Sequence, residues 1–277
     1  MSVLQAIVLG LTQGVTEFAP ISSSGHLVLV PWLFGWELGD ASLAKTFDVA
    51  LHLGTLLGAI AYFRADLARY LVAFARSLRD RRIEGADARV AWALVVGTVP
   101  GAIVGASFEN VIEERLGAPW LIAVMLVVFG IVLVVVDRRS PQERGIEDVT
   151  VGRGLLLGLA QALALQPGVS RSGITITAAR AMGIDRPTAA RVSFLLALPI
   201  IAGAGLFKGL EVAATGIPRP LVAPFVAGML ASAMSGFAVI WFLLGYLRRN
   251  AFTAFLAYRV GVAAVVLAAI LAGRPAT

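Results

Sequence analysis

Glu17, the three serines at 22–24 and His26 fall within one short stretch, Gln13 to His26 (Gln-Gly-Val-Thr-Glu-Phe-Ala-Pro-Ile-Ser-Ser-Ser-Gly-His), inside an otherwise apolar N-terminal region. Ionisable side chains at membrane depth cost at least a few kcal/mol each, so they mark function by default. If Gln13 to Glu17 is helical, the two residues share a face. Their oxygens can then bind a divalent cation, Mg²⁺ or Ca²⁺. Ser22 and Ser23 stand four and three residues before His26. A hydroxyl and an imidazole so spaced can act as nucleophile and general base, or the imidazole can protonate a leaving phosphate. A second stretch, Pro167 to Gly173, reads Pro-Gly-Val-Ser-Arg-Ser-Gly. A Gly- and Ser-rich turn that opens a helix offers unpaired N–H groups to an anion, and Arg171 adds a planar fork matched to phosphate. Ser22, Ser24, Gly168, Ser170, Ser172 and Gly173 are therefore candidate phosphate donors, with Glu17, Ser23, His26 and Arg171 the candidate catalytic groups.

Each group also has a bland reading. Ser and Gly permit close helix packing, Arg171 could snorkel, and His26 could be a core histidine bonded to a serine. A midplane arginine has no easy route to water, and the two stretches together favour chemistry. His52 stands alone in an apolar span and reads as structural. Asp48, in the same span, is a candidate supporting carboxylate. Arg259, near one end of the last apolar run, reads as snorkelling.

Composition sets the class. Hydrophobic residues make up 58% of the 277 and charged residues 14%, against roughly 25% charged in soluble domains. The chain therefore reads as an all-α integral membrane protein. There is no cysteine and there are only two histidines, which excludes disulfide, thiolate and multi-histidine metal chemistry. The formal charge of +6 comes mostly from arginine in the loops, which fits topology and anionic lipid, not nucleic acid. The apolar N-terminus lacks a basic leader and meets Gln13 and Glu17 early, unlike a cleavable signal.

A membrane-crossing helix needs ~20 residues. Residues 2–12 and Ile21 to Phe34 are each too short, and Pro20 and Gly25 separate them. This predicts a re-entrant hairpin whose polar break faces a cavity. Spans are expected at Phe47–Phe63, Val90–Phe108, Ala118–Val136, Ala189–Phe207, Leu221–Leu247 and Phe252–Ala272. Arg64 to Arg89, with seven arginines, reads as a surface helix and loop. An acidic loop is expected at Glu109–Gly117, and a basic one at Asp137–Arg153. Gly154 to Gly183 repeats the opening pattern around Pro167. Counting basic loops as cytoplasmic puts both termini outside.

Six spans and two hairpins of opposite entry describe an inverted repeat within one polytopic domain, with halves near 1–136 and 150–277. At an offset of 148 residues, Leu9-Gly10-Leu11 matches Leu157-Gly158-Leu159, Gln13 matches Gln161, and Ser22, Ser24 and Gly25 match Ser170, Ser172 and Gly173. Opposed hairpins meeting near the midplane would place Glu17, His26 and Arg171 in one cavity.

These motifs resemble those of the bacterial undecaprenyl-diphosphate phosphatases of the bacitracin-resistance type. Gln13 to His26 is similar to that family's glutamate-rich motif followed by Ser-Ser-Thr/Ser-Gly-His. Pro167 to Gly173 is similar to its Pro-Gly-x-Ser-Arg-Ser-Gly motif, and Phe47-Asp48-Val and Ser193 to Pro199 add further likeness. The resemblance covers nearly the whole chain. It implies hydrolysis of undecaprenyl diphosphate to the monophosphate and phosphate with a divalent cation, recycling the lipid carrier of peptidoglycan and conferring bacitracin resistance. It further implies a multi-pass protein of the bacterial cytoplasmic membrane with its site open to the outer side, and is compatible with a homodimer. Gln13 and Glu17 would hold the metal and diphosphate, Ser23 and His26 the nucleophile and acid–base chemistry, and Arg171 the phosphate. Whether Ser23, His26 or water attacks stays open. Two positions depart from the pattern: Gln13 stands where glutamate is frequent, removing a charge from the site, and Arg191 stands where glutamate is expected. The other lipid-phosphatase class needs a histidine after its arginine, and none follows Arg171. The alternative is an inverted-repeat secondary transporter or flippase of an anionic lipid or small anion; a purely structural membrane scaffold would leave Glu17, His26 and Arg171 unexplained.

Overall fold

The computed structural model describes residues 1–276, with side chains at all but positions 41, 108–115, 211 and 213–215. It contains ten α-helices: α1 (Val3–Phe18), α2 (Ser23–Phe34), α3 (Ala41–Asp80), α4 (Gly85–Arg115), α5 (Pro119–Arg139), α6 (Val151–Ala162), α7 (Arg171–Ala181), α8 (Arg186–Thr215), α9 (Arg219–Tyr246) and α10 (Thr253–Leu271). Six of them, α3, α4, α5, α8, α9 and α10, are long and apolar enough to cross a membrane. The shorter pairs α1–α2 and α6–α7 coincide with the two interrupted stretches.

Local chemistry sets the helix ends. Ser2 caps α1 in a capping box with Gln5, and Asp40, Thr150 and Asp185 cap α3, α6 and α8 through their side chains. Each such cap satisfies an orphan N–H and contributes about 1 kcal/mol.

Three boundaries differ from the sequence reading. The expected surface helix after Arg64 is the second half of α3, 40 residues long and so about 60 Å at 1.5 Å per residue. Only Phe63 leaves helical geometry (φ −90°, ψ 15°). No Gly or Pro stands between Phe63 and Asp80, and the Ala, Leu and Arg there are strong helix formers. Tyr70 and Ser77 are buried on this half and Leu67 and Phe74 pack on the core, while Leu71 and Leu78 are exposed. The Trp92 indole of α4 donates to Ser77 Oγ at 2.8 Å. The acidic loop expected from Glu109 is the end of α4, which runs to Arg115; its side chains lie outside the described residues. Asp137, expected to open a polar loop, belongs to α5 and is buried. Arg180 Nε donates to Asp137 Oδ1 at 2.7 Å, and Arg186 grips the same carboxylate from Nε and Nη2. Arg180, fully buried, also donates to the Pro141, Ile184 and Ser140 carbonyls. This cluster ties the end of α7 to the end of α5 and the start of α8. Arg191, the second departure from the family pattern, pairs with Asp66 of α3.

Early helices pair with late ones. α1 and α3 pack on α9, whereas α6 and α8 pack on α4, and α5 packs on α10. Glycine permits these approaches. A Cβ on Gly10 would stand 2.3 Å from the Gly228 carbonyl oxygen, and one on Gly158 would stand 2.2 Å from that of Gly97. Gly10 and Gly158 are the pair matched at the 148-residue offset, so that match records a packing requirement.

Candidate active site

The site forms where the two interrupted stretches meet. α1 ends at Phe18, and Ala19 turns extended. Ser22, the N-cap of α2, holds φ 75° and ψ 95°, and Ser170, the N-cap of α7, holds φ 75° and ψ 115°. Positive φ in a residue with a Cβ costs about 1–3 kcal/mol and persists only where its surroundings enforce it. The enforcement is visible. Ser22 Oγ accepts from the N–H of Gly25 at 3.3 Å and, across the turns, from the N–H of Gly168 at 3.0 Å. Ser170 Oγ accepts from the N–H of Gly173 at 3.1 Å, and Ser172 Oγ donates to the Ala19 carbonyl at 3.0 Å. Gly168 has φ 96° and backs onto α5, where a Cβ would meet the Ile122 carbonyl oxygen at 2.7 Å. No side chain fits there.

This cross-bracing places Glu17, at the end of α1, opposite Arg171, the first residue of α7. Glu17 Oε1 accepts from Arg171 Nη2. Glu17 Oε2 accepts from Ser23 Oγ at 2.5 Å and from Gln13 Nε2 at 3.0 Å. His52 Nε2, from α3, lies 3.5 Å from the same oxygen. Glu17, Ser23, Ser24, His52 and Arg171 line one cavity of about 270 Å³, closed by the apolar Val49, Ala164, Ile200, Ile201 and Ala204. Desolvating a carboxylate and a guanidinium is expensive even when they pair. Here the pair sits in a cavity wall, and Arg171 Nη1 is buried with no hydrogen-bond partner among the described residues. Arg171 thus lines the cavity with one nitrogen unpartnered, next to a hydroxyl hydrogen-bonded to a carboxylate.

Not every sequence candidate lies there. Of the expected phosphate donors, Ser24 lines the cavity. Ser22, Gly168, Ser170, Ser172 and Gly173 use the hydroxyls and N–H groups named above to hold the turns. His26 is not among the cavity-lining residues. It lies one turn into α2, buried, with Nδ1 2.7 Å from the Ser22 carbonyl and Nε2 2.9 Å from the Tyr258 hydroxyl. A carbonyl only accepts, so Nδ1 carries the proton, and Nε2 of the neutral ring accepts from Tyr258. His26 therefore does not line the cavity that holds Glu17 and Arg171, and both its ring nitrogens are engaged elsewhere. The site imidazole is His52, which sequence reading left as structural. Asp48 supports it through its backbone, whose carbonyl accepts from His52 Nδ1 at 2.8 Å.

Arg259 also differs from expectation. It does not snorkel. It is fully buried, and its guanidinium donates to Pro20 O at 2.6 Å, Leu126 O at 3.3 Å and Val169 O at 3.4 Å. Pro20 lies two residues before Ser22 and Val169 immediately before Ser170, so this one side chain from α10 braces both turns against α5.

Comparison with known proteins identifies the family. The model of the family described as "Bacitracin resistance protein BacA" matches residues 6–265. An undecaprenyl-diphosphatase of Pelotomaculum thermopropionicum is 48% identical over 271 residues, covering 97% of this chain and 98% of the relative. That of Geobacter sulfurreducens is 47% identical over 273 residues, covering 98% and 100%, and that of Moorella thermoacetica is 47% identical over 268 residues, covering 97% and 98%. With its two polar turns, its buried Glu17–Arg171 pair and matches of this extent, the chain belongs to the BacA bacitracin resistance protein family.

Proposed function

We propose that this chain is a membrane diphosphatase that hydrolyses undecaprenyl diphosphate to undecaprenyl phosphate and inorganic phosphate, recycling the lipid carrier of cell-wall synthesis and thereby conferring bacitracin resistance. The observation that carries the reading is the Glu17–Arg171–Ser23 constellation at the meeting of the two turns. The names of the relatives supply the substrate.

The residues suggest a division of work. The Arg171 guanidinium, which lines the cavity, donates to the terminal phosphate, and the buried site strengthens that bond relative to water. Ser23 Oγ attacks the terminal phosphorus while its proton passes to Glu17 Oε2, to which it is already hydrogen-bonded. The bond from that phosphorus to the bridging oxygen breaks, and undecaprenyl phosphate leaves with the electron pair. Water then cleaves the phosphoserine, releasing inorganic phosphate and restoring the hydroxyl.

A divalent cation fits the residues on one observation. Gln13 Oε1 is buried without a partner among the described residues, beside the Glu17 carboxylate. No group of three or more His, Cys, Asp or Glu side chains gathers among the described residues. Gln13 and Glu17 would hold the ion with oxygens from the diphosphate, the shared arrangement Mg²⁺ favours. When bound, the ion would neutralise phosphate charge as a Lewis acid.

Orientation follows the charges. Arg79, Arg138, Arg139, Arg186, Arg191, Arg248 and Arg249 stand at one set of helix ends, those expected to be cytoplasmic. Val49 and His52 lie in the first third of α3, toward its opposite end, so the cavity is read as opening to the outer face of the cytoplasmic membrane. The exchanged helix pairing and the matching serine caps support two re-entrant hairpins in an inverted repeat.

The test is phosphate release from undecaprenyl diphosphate by detergent-purified protein with Mg²⁺, Ca²⁺ or EDTA. Metal-dependent release is expected, falling about 10²–10³-fold or more in Arg171→Ala and Ser23→Ala while folding is retained. Absence of release by the wild type with every metal, with lipid still bound, overturns the enzyme in favour of a lipid carrier.

A further inference from the structure

We propose that His52 is a catalytic residue of this site, contacting the terminal phosphate and orienting it toward Ser23. The inference rests on the diphosphatase reading above and names a residue that neither motif contains.

Four observations carry it. First, position: His52 lines the same cavity as Glu17, Ser23, Ser24 and Arg171, and is its only imidazole. Second, orientation: His52 Nδ1 is held by the Asp48 carbonyl at 2.8 Å, which fixes the ring and turns Nε2 toward the polar centre. Third, availability: Nε2 stands 3.5 Å from Glu17 Oε2, longer than a normal hydrogen bond. Ser23 and Gln13 approach that oxygen at 2.5 Å and 3.0 Å. Among the groups around the carboxylate, His52 is therefore the one not already bonded to it at full strength. Fourth, access: the His52 side chain is 31% exposed, whereas that of Glu17 is 3% exposed. An entering anion meets His52 and Arg171 before it reaches Glu17.

A bland reading competes. A helical histidine bonded to its own backbone four residues earlier can be a satisfied residue of an apolar span. It would then tolerate any side chain of similar volume. The two readings part on what can replace the ring. A glutamine amide can offer a donor or an acceptor near the place of Nε2, and leucine can offer neither.

His26 gives the contrast. Both its ring nitrogens are engaged, by Ser22 and Tyr258, and its ring stacks on Tyr258 at 5.6 Å between centroids. It holds α2 against α10, and His52 faces the reacting centre.

The experiment compares wild type, His52→Gln, His52→Leu and His52→Ala as detergent-purified full-length proteins. It reads kcat and KM for phosphate release from undecaprenyl diphosphate at saturating Mg²⁺, and thermal unfolding of the same samples. His52→Leu is expected to lose about 100-fold in kcat/KM, the scale of misplacing a reacting group by about 1 Å, with the unfolding temperature kept. His52→Gln is expected to recover at least a tenth of wild-type kcat/KM. His52→Ala, which only enlarges the cavity, replaces the leucine variant should that one fail to fold. Wild-type kcat/KM in a folded leucine or alanine variant overturns the proposal. Equal loss in the glutamine and leucine variants also overturns it, because the hydrogen bond is then not what the position supplies. Failure of the diphosphatase reading is separate, since wild-type protein would then release no phosphate at all.

Discussion

Replacing Gln13 by glutamate tests the cation site most directly. Gln13 Nε2 now donates to Glu17 Oε2 at 3.0 Å. A carboxylate oxygen in its place would face Glu17 at about the same separation. At an effective dielectric constant near 20, two unit charges about 3 Å apart repel by about 5–6 kcal/mol. Arg171 offsets part of this through its bond to Glu17 Oε1. A divalent cation, if residues 13 and 17 hold one, would turn the remaining repulsion into ligation. Gln13→Glu should therefore unfold at lower temperature than wild type in EDTA and gain more stability on Mg²⁺ addition. Its half-maximal Mg²⁺ concentration for phosphate release should fall by about tenfold, equivalent to about 1.4 kcal/mol. The assay is a Mg²⁺ titration of release at fixed lipid, paired with thermal unfolding with and without EDTA. An unchanged Mg²⁺ midpoint together with an unchanged unfolding temperature in EDTA would refute the reasoning and remove Gln13 from the ligand set.

Asp137→Ala strands Arg180 and Arg186 around an empty place and should cost about 3–5 kcal/mol, read as resistance to unfolding in mixed SDS micelles; a loss below about 1 kcal/mol would contradict the buried cluster. Gly14→Ala places a Cβ 2.6 Å from the Ser232 carbonyl oxygen and 2.7 Å from the Gly236 nitrogen, so α1 must lift off α9 and carry Glu17 with it. Phosphate release should drop about 100-fold, while Gly245→Ala, with nothing within 4 Å of the new Cβ, should match wild type. Arg259→Leu leaves the buried Pro20 and Val169 carbonyls without their donor at about 1–3 kcal/mol each, and its thermal unfolding should fall clearly below that of Arg259→Lys, which keeps one cationic donor.

The polar breaks were legible because a carboxylate, serines and an arginine inside apolar sequence have no cheap explanation. Gln13 could be paired with Glu17, and Glu17 placed with Arg171, on that ground alone; the structure adds Ser23, whose hydroxyl bonds Glu17 instead of pairing with His26. The misread residues share a cause. Arg259 and Asp137 lie near the ends of apolar runs, where a charge can reach water, and only the packed fold shows that both point inward. His52 sits in a regular span with no motif around it. Its cue was weak but present: it is one of two histidines, and it shares its span with the carboxylate of Asp48. His26 misled through adjacency. It follows Ser23 by three residues, yet Ser23 opens α2 toward Glu17 while His26 turns toward α10. The long α3 was missed because a run of arginines resembles a membrane boundary, although no residue in it breaks a helix.

The two strained serines have a wider consequence. Ser22 and Ser170 share the same φ of 75° and the same bond to an N–H three residues on, but the chemistry hung on the two turns is not shared. Where the first carries Glu17, Ser23 and His26, the second carries Leu165, Arg171 and Ile174 at the 148-residue offset. The backbone shape is the same at both turns while the functional groups differ, with the Glu17 carboxylate and Ser23 hydroxyl at one and the Arg171 guanidinium at the other. Neither turn carries the whole set, and the Glu17–Arg171 pair exists only at the seam between them.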